Sequence, residues 1–271
     1  MSKKRILYVT QEMDPYTTLT EVSNIVKLLP LAANDEGYEI RVLMPRFGTI
    51  NERRHRLHEV VRLSGMNIIV DDDDYPLIIK VASIPGARLQ VYFLDNDEFF
   101  KRKFIFEDAK GKAYDDNADR MVFFCKGVLE TVKKFGWSPD LIHCHGWMTS
   151  LVPFYLKTVY KNDPIFENSK IVYSVYSETE ESKFDDSFKD KASINNLDEK
   201  DLAAYLEDGK ITLHQGAISH SDALITGSNN LDAAVTKHMG DSKLPTLEYK
   251  EGDELVPAYM EFYKSIIEVE E

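Results

Sequence analysis

A doubly wound, mostly parallel α/β sheet is the fold class that the sequence predicts, and three observations carry it. The apolar run Arg5–Thr10 is followed by a loop and then by Val22, Ile25, Val26 and Leu29 at helical spacing. A second apolar run, residues 39–44, begins after Gly37 and closes at Pro45, which completes a β-α-β unit with its right-handed crossover. The same alternation resumes after residue 117, and an apolar share of 43% in 271 residues is enough to fill one large core. The expectation is therefore a Rossmann-like lobe, a single domain over residues 1–271.

Between those two stretches the pattern changes. Short apolar runs at 67–70, 77–82 and 89–94 are separated by the acidic turn Asp71-Asp72-Asp73-Asp74 and by Pro85-Gly86. They read as a hairpin or meander inserted in the wound sheet. A helix is expected over 117–135, stopped by Gly136, then a strand at 141–144, a helix after Trp147, and strands at 171–175 and 223–226. Residues 177–210 are rich in charge and poor in periodicity apart from a weakly helical 198–206, and are expected to run over the surface. A C-terminal helix, about 253–271, places Leu255, Tyr259, Phe262, Tyr263 and Ile266 on one face and closes the domain.

Charge and cysteine usage exclude several classes. With 33 Lys and Arg against 46 Asp and Glu, the net charge is −13, which repels polyanions, so neither nucleic acid nor an anionic membrane is expected as a partner. The first apolar run is too short for a secretion signal, and no run approaches a membrane span, so a cytoplasmic protein is expected. Cys125 and Cys144 both lie in apolar patterns and are read as reduced core residues. His143 and His145 share one side of a strand without a neighbouring third ligand, and the acidic turn lacks the ligand spacing of a calcium loop, so no metal is assigned. No cofactor, no catalytic residue, no nucleophile elbow and no phosphate-cradling glycine motif is found.

In a doubly wound sheet, ligands bind beyond the carboxyl ends of the strands. Four segments are expected to meet there: residues 10–19, His145-Gly146-Trp147-Met148, Tyr176-Ser177-Glu178 and Gly227-Ser228-Asn229. Carboxylate-rich Glu178-Thr179-Glu180-Glu181 and Asp185-Asp186 read as exposed rather than as a catalytic pair.

Several of these stretches resemble bacterial starch and glycogen synthases, glycosyltransferase family 5. Gly37-Tyr38-Glu39-Ile40-Arg41-Val42-Leu43-Met44-Pro45-Arg46-Phe47 is similar to the family's Gly-His-Glu-Val-Arg-Val-Val-Met-Pro-Arg-Tyr, and Asp116-Asn117-Ala118-Asp119-Arg120 to its Asp-Asn-x-x-Arg helix entry. Asp140 to Thr149, 171–177 and 215–228 match further family segments. The resemblance implies a single lobe of a GT-B-type enzyme, the acceptor-side half, whose family reaction moves glucose from a nucleotide-glucose to an α-1,4-glucan.

Residue by residue, the family's working positions differ here. Thr18 stands where the family has a lysine, and Thr20-Glu21 where it has the two glycines that approach the nucleotide-sugar diphosphate. Gly146 replaces an Asp, Tyr176 a sugar-contacting His, and Gln215 a Lys. Length is sufficient for the first lobe only, so the donor lobe is expected to be absent. The expectation is a lobe that does not catalyse transfer alone and binds glucan or a protein of glycogen metabolism. A catalytic half completed by another chain, or an interaction module unrelated to sugar, are the alternatives. By resemblance, Asn117, Arg120, His145, Trp147 and Tyr176 are the candidate glucan-binding or cleft-lining residues, and Thr18, Thr20 and Glu21 the degenerate nucleotide-sugar loop. The residues alone offer plainer roles: Asn117 as a helix cap, Arg120 paired with an acid, Trp147 in the core.

Overall fold

A computed structural model describes residues 3–84, 87, 89–177, 184–194, 197 and 200–268. The Pro85-Gly86 turn and the Glu178-Thr179-Glu180-Glu181 carboxylates lie outside the described residues. In chain order the strands are β1 (Arg5–Thr10), β2 (Glu39–Pro45), β3 (His58–Glu59), β4 (Met66–Val70), β5 (Asp73–Ser83), β6 (Gln90–Asp95), β7 (Leu141–His145), β8 (Lys170–Val175), β9 (Leu206–Glu207), β10 (Lys210–Ile211), β11 (Ala223–Thr226) and β12 (Thr246–Leu247). The helices are α1 (Val22–Asp35), α2 (Glu52–His55), α3 (Asp97–Phe100), α4 (Asn117–Phe135), α5 (Leu151–Lys157), α6 (Phe188–Ala192), α7 (Leu213–Ser219), α8 (Ala233–Ser242) and α9 (Leu255–Ile267).

The main sheet runs β12-β11-β8-β7-β1-β2-β6-β5-β3, with β4 paired to β5. Every pair from β12 to β6 is parallel, and β5 is antiparallel to β6, β4 and β3. The chain starts in the middle at β1, winds outward through β2 and β6, then returns to β7 and winds the other way. The switch between β1 and β7 opens a crevice at the carboxyl ends of the strands. Central strands are covered on both faces, so β1 and β8 are continuous apolar runs, whereas β5 alternates along its length because the antiparallel edge is covered on one side. The inserted meander expected at 67–94 is this edge, and Asp71-Asp72 form its exposed two-residue turn.

Helix α1 turns Val22, Ile25, Val26, Leu29 and Ala33 to the sheet and packs on α9, which buries Leu255, Tyr259, Tyr263 and Ile266. On the other face α4 packs against α5, and α5 against α7. Gly136 closes α4 in the left-handed conformation at φ 61°, where the sequence places the stop. Both cysteines are free and buried. No helix among the described residues is long and apolar enough to cross a membrane.

One expectation is corrected. The charged stretch does more than run over the surface, because Phe188, Ala192, Leu202 and Tyr205 are all buried. Phe188 and Ala192 stand singly among charges, and Leu202 and Tyr205 lie in the short apolar run 202–206, too short to show a helical period. The Tyr155 hydroxyl donates to the Ala192 carbonyl at 2.7 Å and that of Tyr205 to the Ser150 carbonyl at 2.7 Å. Lys126, buried in α4, donates to the carbonyls of Ile69, Lys191 and Ser193 at 3.0, 3.3 and 2.9 Å. Burial lowers its pKa to about 8. In place of the helix expected at 198–206, the described part holds a 3-10 turn, Ala203–Tyr205, leading into β9.

Candidate functional site

All four segments expected at the carboxyl edge converge on one recess. It is lined by Gln11 after β1, Gly146 after β7, Tyr176 and Ser177 after β8, Ser228 after β11, and Thr20, Glu21 and Val22 at the start of α1. Its volume is about 30 Å³.

A buried carboxylate explains the shape of the loop that closes it. Glu12 is fully buried, and its Oε2 accepts the backbone N–H groups of Leu19 and Thr20, each at 2.8 Å, while Oε1 accepts the Thr20 hydroxyl at 2.7 Å. The amides that precede α1 therefore point inward at a protein carboxylate. An anion in the recess would find those donors engaged and the Glu21 side chain in its lining. Thr18 is exposed and does not line the recess. Glu12 was not among the residues singled out from sequence, since its partners lie seven and eight positions away and only the folded loop joins them.

Gly146 adopts φ 85°, ψ 160°, a region that only glycine enters readily. A Cβ there would meet the Gln11 side chain at 2.5 Å, and Gln11 Oε1 accepts the Met148 N–H at 3.2 Å. Gln11 thus fills the space beside Gly146.

Behind the recess lies a buried polar chain. The Tyr176 hydroxyl is hydrogen-bonded to His145 Nδ1 at 2.9 Å, His145 Nε2 to His143 Nδ1 at 3.1 Å, and His143 to the Tyr263 hydroxyl at 2.6 Å and Ser174 Oγ at 2.7 Å. Burial pushes the His145 pKa down to about 3 and that of His143 well below the usual histidine range, with the neighbouring His145 adding to the shift of His143. Both imidazoles are neutral. Tyr263, on α9, was legible only as a helix-face residue. Among the described residues no cluster of three His, Cys, Asp or Glu is arranged to hold a metal.

Of the candidate glucan-contacting residues, only Tyr176 lines the recess, and it is itself buried. Asn117 does not cap α4: its Nδ2 donates to the Phe106 carbonyl at 2.8 Å, and its Oδ1 accepts from Arg120 at 2.7 Å. Among the described residues Arg120 pairs with no acid. It is buried and donates to the carbonyls of Phe99 and Ile105 at 2.8 and 2.6 Å, and burial lowers its pKa to about 10. The acid beside it, Asp116, is taken by Arg102 instead. Both corrections have one cause: the 97–106 segment folds over the start of α4 and its free carbonyls need donors more than the helix needs a side-chain cap. Trp147 is buried between Phe106 and Phe184, with ring centroids at 5.0 and 5.9 Å, which is the core role.

Comparison with known proteins agrees with this layout. The family profile described as starch synthase catalytic domain matches residues 5–247. The glycogen synthase of Chlorobaculum tepidum is 35% identical over 227 residues, covering 83% of this chain and 46% of that protein. That of Chlorobium limicola is 40% identical over 174 residues, 64% of this chain and 36% of that protein. The chain thus spans less than half the length of these relatives. Among solved structures, the catalytic domain of starch synthase IV from Arabidopsis thaliana bound to ADP and acarbose matches with a TM-score of 0.75 at 18% identity, over 93% of this chain and 52% of that one, which establishes a shared fold. Its mostly parallel sheet is that of a GT-B lobe, and with the profile match over residues 5–247 the chain belongs to the starch and glycogen synthase family, glycosyltransferase family 5.

Proposed function

We propose that this lobe binds an α-1,4-glucan and does not by itself transfer glucose to it. Membership in the family supports a glucosyltransferase-type role, and the solved starch synthase IV domain is described as bound to ADP and acarbose. The reading against transfer rests on one observation: the recess at the switch point is about 30 Å³, and the Leu19 and Thr20 amides beside it are held by Glu12. A diphosphate needs several free N–H donors and usually a cation within reach. Here the donors are engaged, Glu21 lines the recess, and the net charge of −13 adds no attraction at long range.

The test is calorimetry with ADP and UDP, together with a glucan-elongation assay using ADP-glucose or UDP-glucose and a maltooligosaccharide acceptor. No one-to-one heat at micromolar nucleotide and no elongation are expected. A clear ADP isotherm, or elongation by the purified 271-residue chain, would overturn the proposal and restore the family reaction to this lobe.

A further inference from the structure

The antiparallel border of the sheet carries two charge clusters of opposite sign. Along β5 the carbonyls of Ile79 and Leu77 accept from the Val60 and Gly65 N–H groups at 2.8 and 3.0 Å, and residues two apart on a strand present their carbonyls to the same side. Strands β3 and β4 are therefore two pieces of one interrupted strand beside β5, and β3 ends the strand order. The turn at Asp71-Asp72, with Asp73 and Asp74 after it, forms one end of this border, and α2 with β3 forms the other. Asp73 and Val81, the β5 partner of His58, stand eight positions apart, about 27 Å of extended strand.

Neither cluster is neutralised within the chain. Arg53, Arg54, Arg56 and Arg62 are all exposed, and among the described residues none of them forms a salt bridge. Glu52, the acid on the same turn, is occupied by Lys80 and Arg46 at 2.7 and 3.3 Å. Residues 71–74 are also exposed, and among the described residues they too form no salt bridge. Val61, in the link between β3 and β4, and Ile69, in β4, lie between α2 and the acidic turn in chain order. At 77% and 58% exposure they are the two most exposed large apolar side chains among the described residues. Arginines, acids and bared apolar side chains on one border give it the make-up of an interface.

The arrangement of the clusters selects the occupant. A long polyanion would run past the arginines onto a chain whose net charge is −13. A second copy brings instead a compact acidic turn at a matching distance. A two-fold axis through the middle of the border reverses it, so that the acidic turn of each copy meets the arginines of the other and the apolar side chains come together between them. At about 0.15 M salt, charges are screened beyond about 8 Å, which removes most of the repulsion between the two acidic chains while touching pairs keep their attraction.

We infer that the β3-β4 border is a self-association surface, on which a second copy of this chain docks antiparallel with its 71–74 turn against Arg53, Arg54 and Arg56. Sedimentation equilibrium of the full chain at about 0.15 M salt tests this, and a monomer–dimer equilibrium is expected. Arg53→Glu with Arg54→Glu, and separately Asp72→Lys with Asp73→Lys, should each weaken association at least about tenfold. Their circular dichroism spectra should not change, because every altered side chain is exposed. Mixing the two variants should restore the dimer, since the mixed pair joins Glu to Lys at one end and Arg to Asp at the other. A chain that stays monomeric, or variants that dimerise as the unaltered chain does, would overturn the surface. Weakening without rescue on mixing would overturn the antiparallel pairing. A monomeric chain that binds a poly-glutamate peptide, with binding lost in Arg53→Glu/Arg54→Glu, would make the occupant an acidic segment of another protein and overturn self-association.

Discussion

His143 and His145 are joined by a hydrogen bond of 3.1 Å between Nδ1 and Nε2, two positions apart on one strand and fully buried. That bond needs one nitrogen to donate and the other to accept, so both rings cannot carry an extra proton. Their neighbours are hydroxyls from Tyr176, Tyr263 and Ser174.

A pH dependence follows from the buried histidines. The pKa of His145 falls to about 3 and that of His214 to about 4, both through burial, and that of His143 falls as well. Below pH ~6.5 the unfolded chain takes up protons at these rings and the folded chain does not. Stability is therefore complete above about pH 6.5 and declines as pH falls toward the folded values. Urea midpoints should drop between pH 6.5 and 5, before most carboxylates titrate, and His145→Gln should flatten that slope. A midpoint unchanged over this range would contradict neutral, buried imidazoles.

Glu12 holds three donors of the 19–20 turn. Glu12→Ala leaves the Leu19 and Thr20 amides without that acceptor and should cost about 3 kcal/mol. Chemical denaturation gives the loss, and amide exchange should localise it to residues 19–22. An effect below about 0.5 kcal/mol would mean that solvent replaces the carboxylate without cost.

Gly146→Ala places a Cβ 2.5 Å from the Gln11 side chain at a φ of 85°. The expected cost is about 1–3 kcal/mol. Because Gln11 is a flexible partner, Gly146→Ala combined with Gln11→Ala should recover the steric part and leave the backbone part. Full recovery in the double variant would show that the backbone there tolerates a side chain.

Trp147→Ala removes an indole packed between Phe106 and Phe184 and should destabilise the domain by about 3–5 kcal/mol. Thermal unfolding measures it. A variant of unchanged stability that loses maltooligosaccharide binding would return Trp147 to the role of a sugar platform.

Much of the fold was legible because it rests on local patterns. The apolar runs of β1, β2, β7 and β8, the helical spacing in α1 and α9, and Gly136 after α4 each show within a few residues of sequence. Convergence of the four loop segments followed from the winding rule alone. The roles of individual side chains at the site were not legible in the same way.

By itself, the sequence determined the doubly wound sheet and the edge where its loops meet, since periodicity is a property of neighbouring positions. Only the tertiary structure decided that Glu12 seizes the amides of Leu19 and Thr20 and that Arg120 and Lys126 are buried on carbonyls rather than acids. The physical reason is that a buried polar group takes whichever partner the fold brings within about 3 Å. Those partners here come from the 97–106 segment, the 184–194 segment and the turn before α1. Their proximity depends on chain packing, which no local pattern encodes.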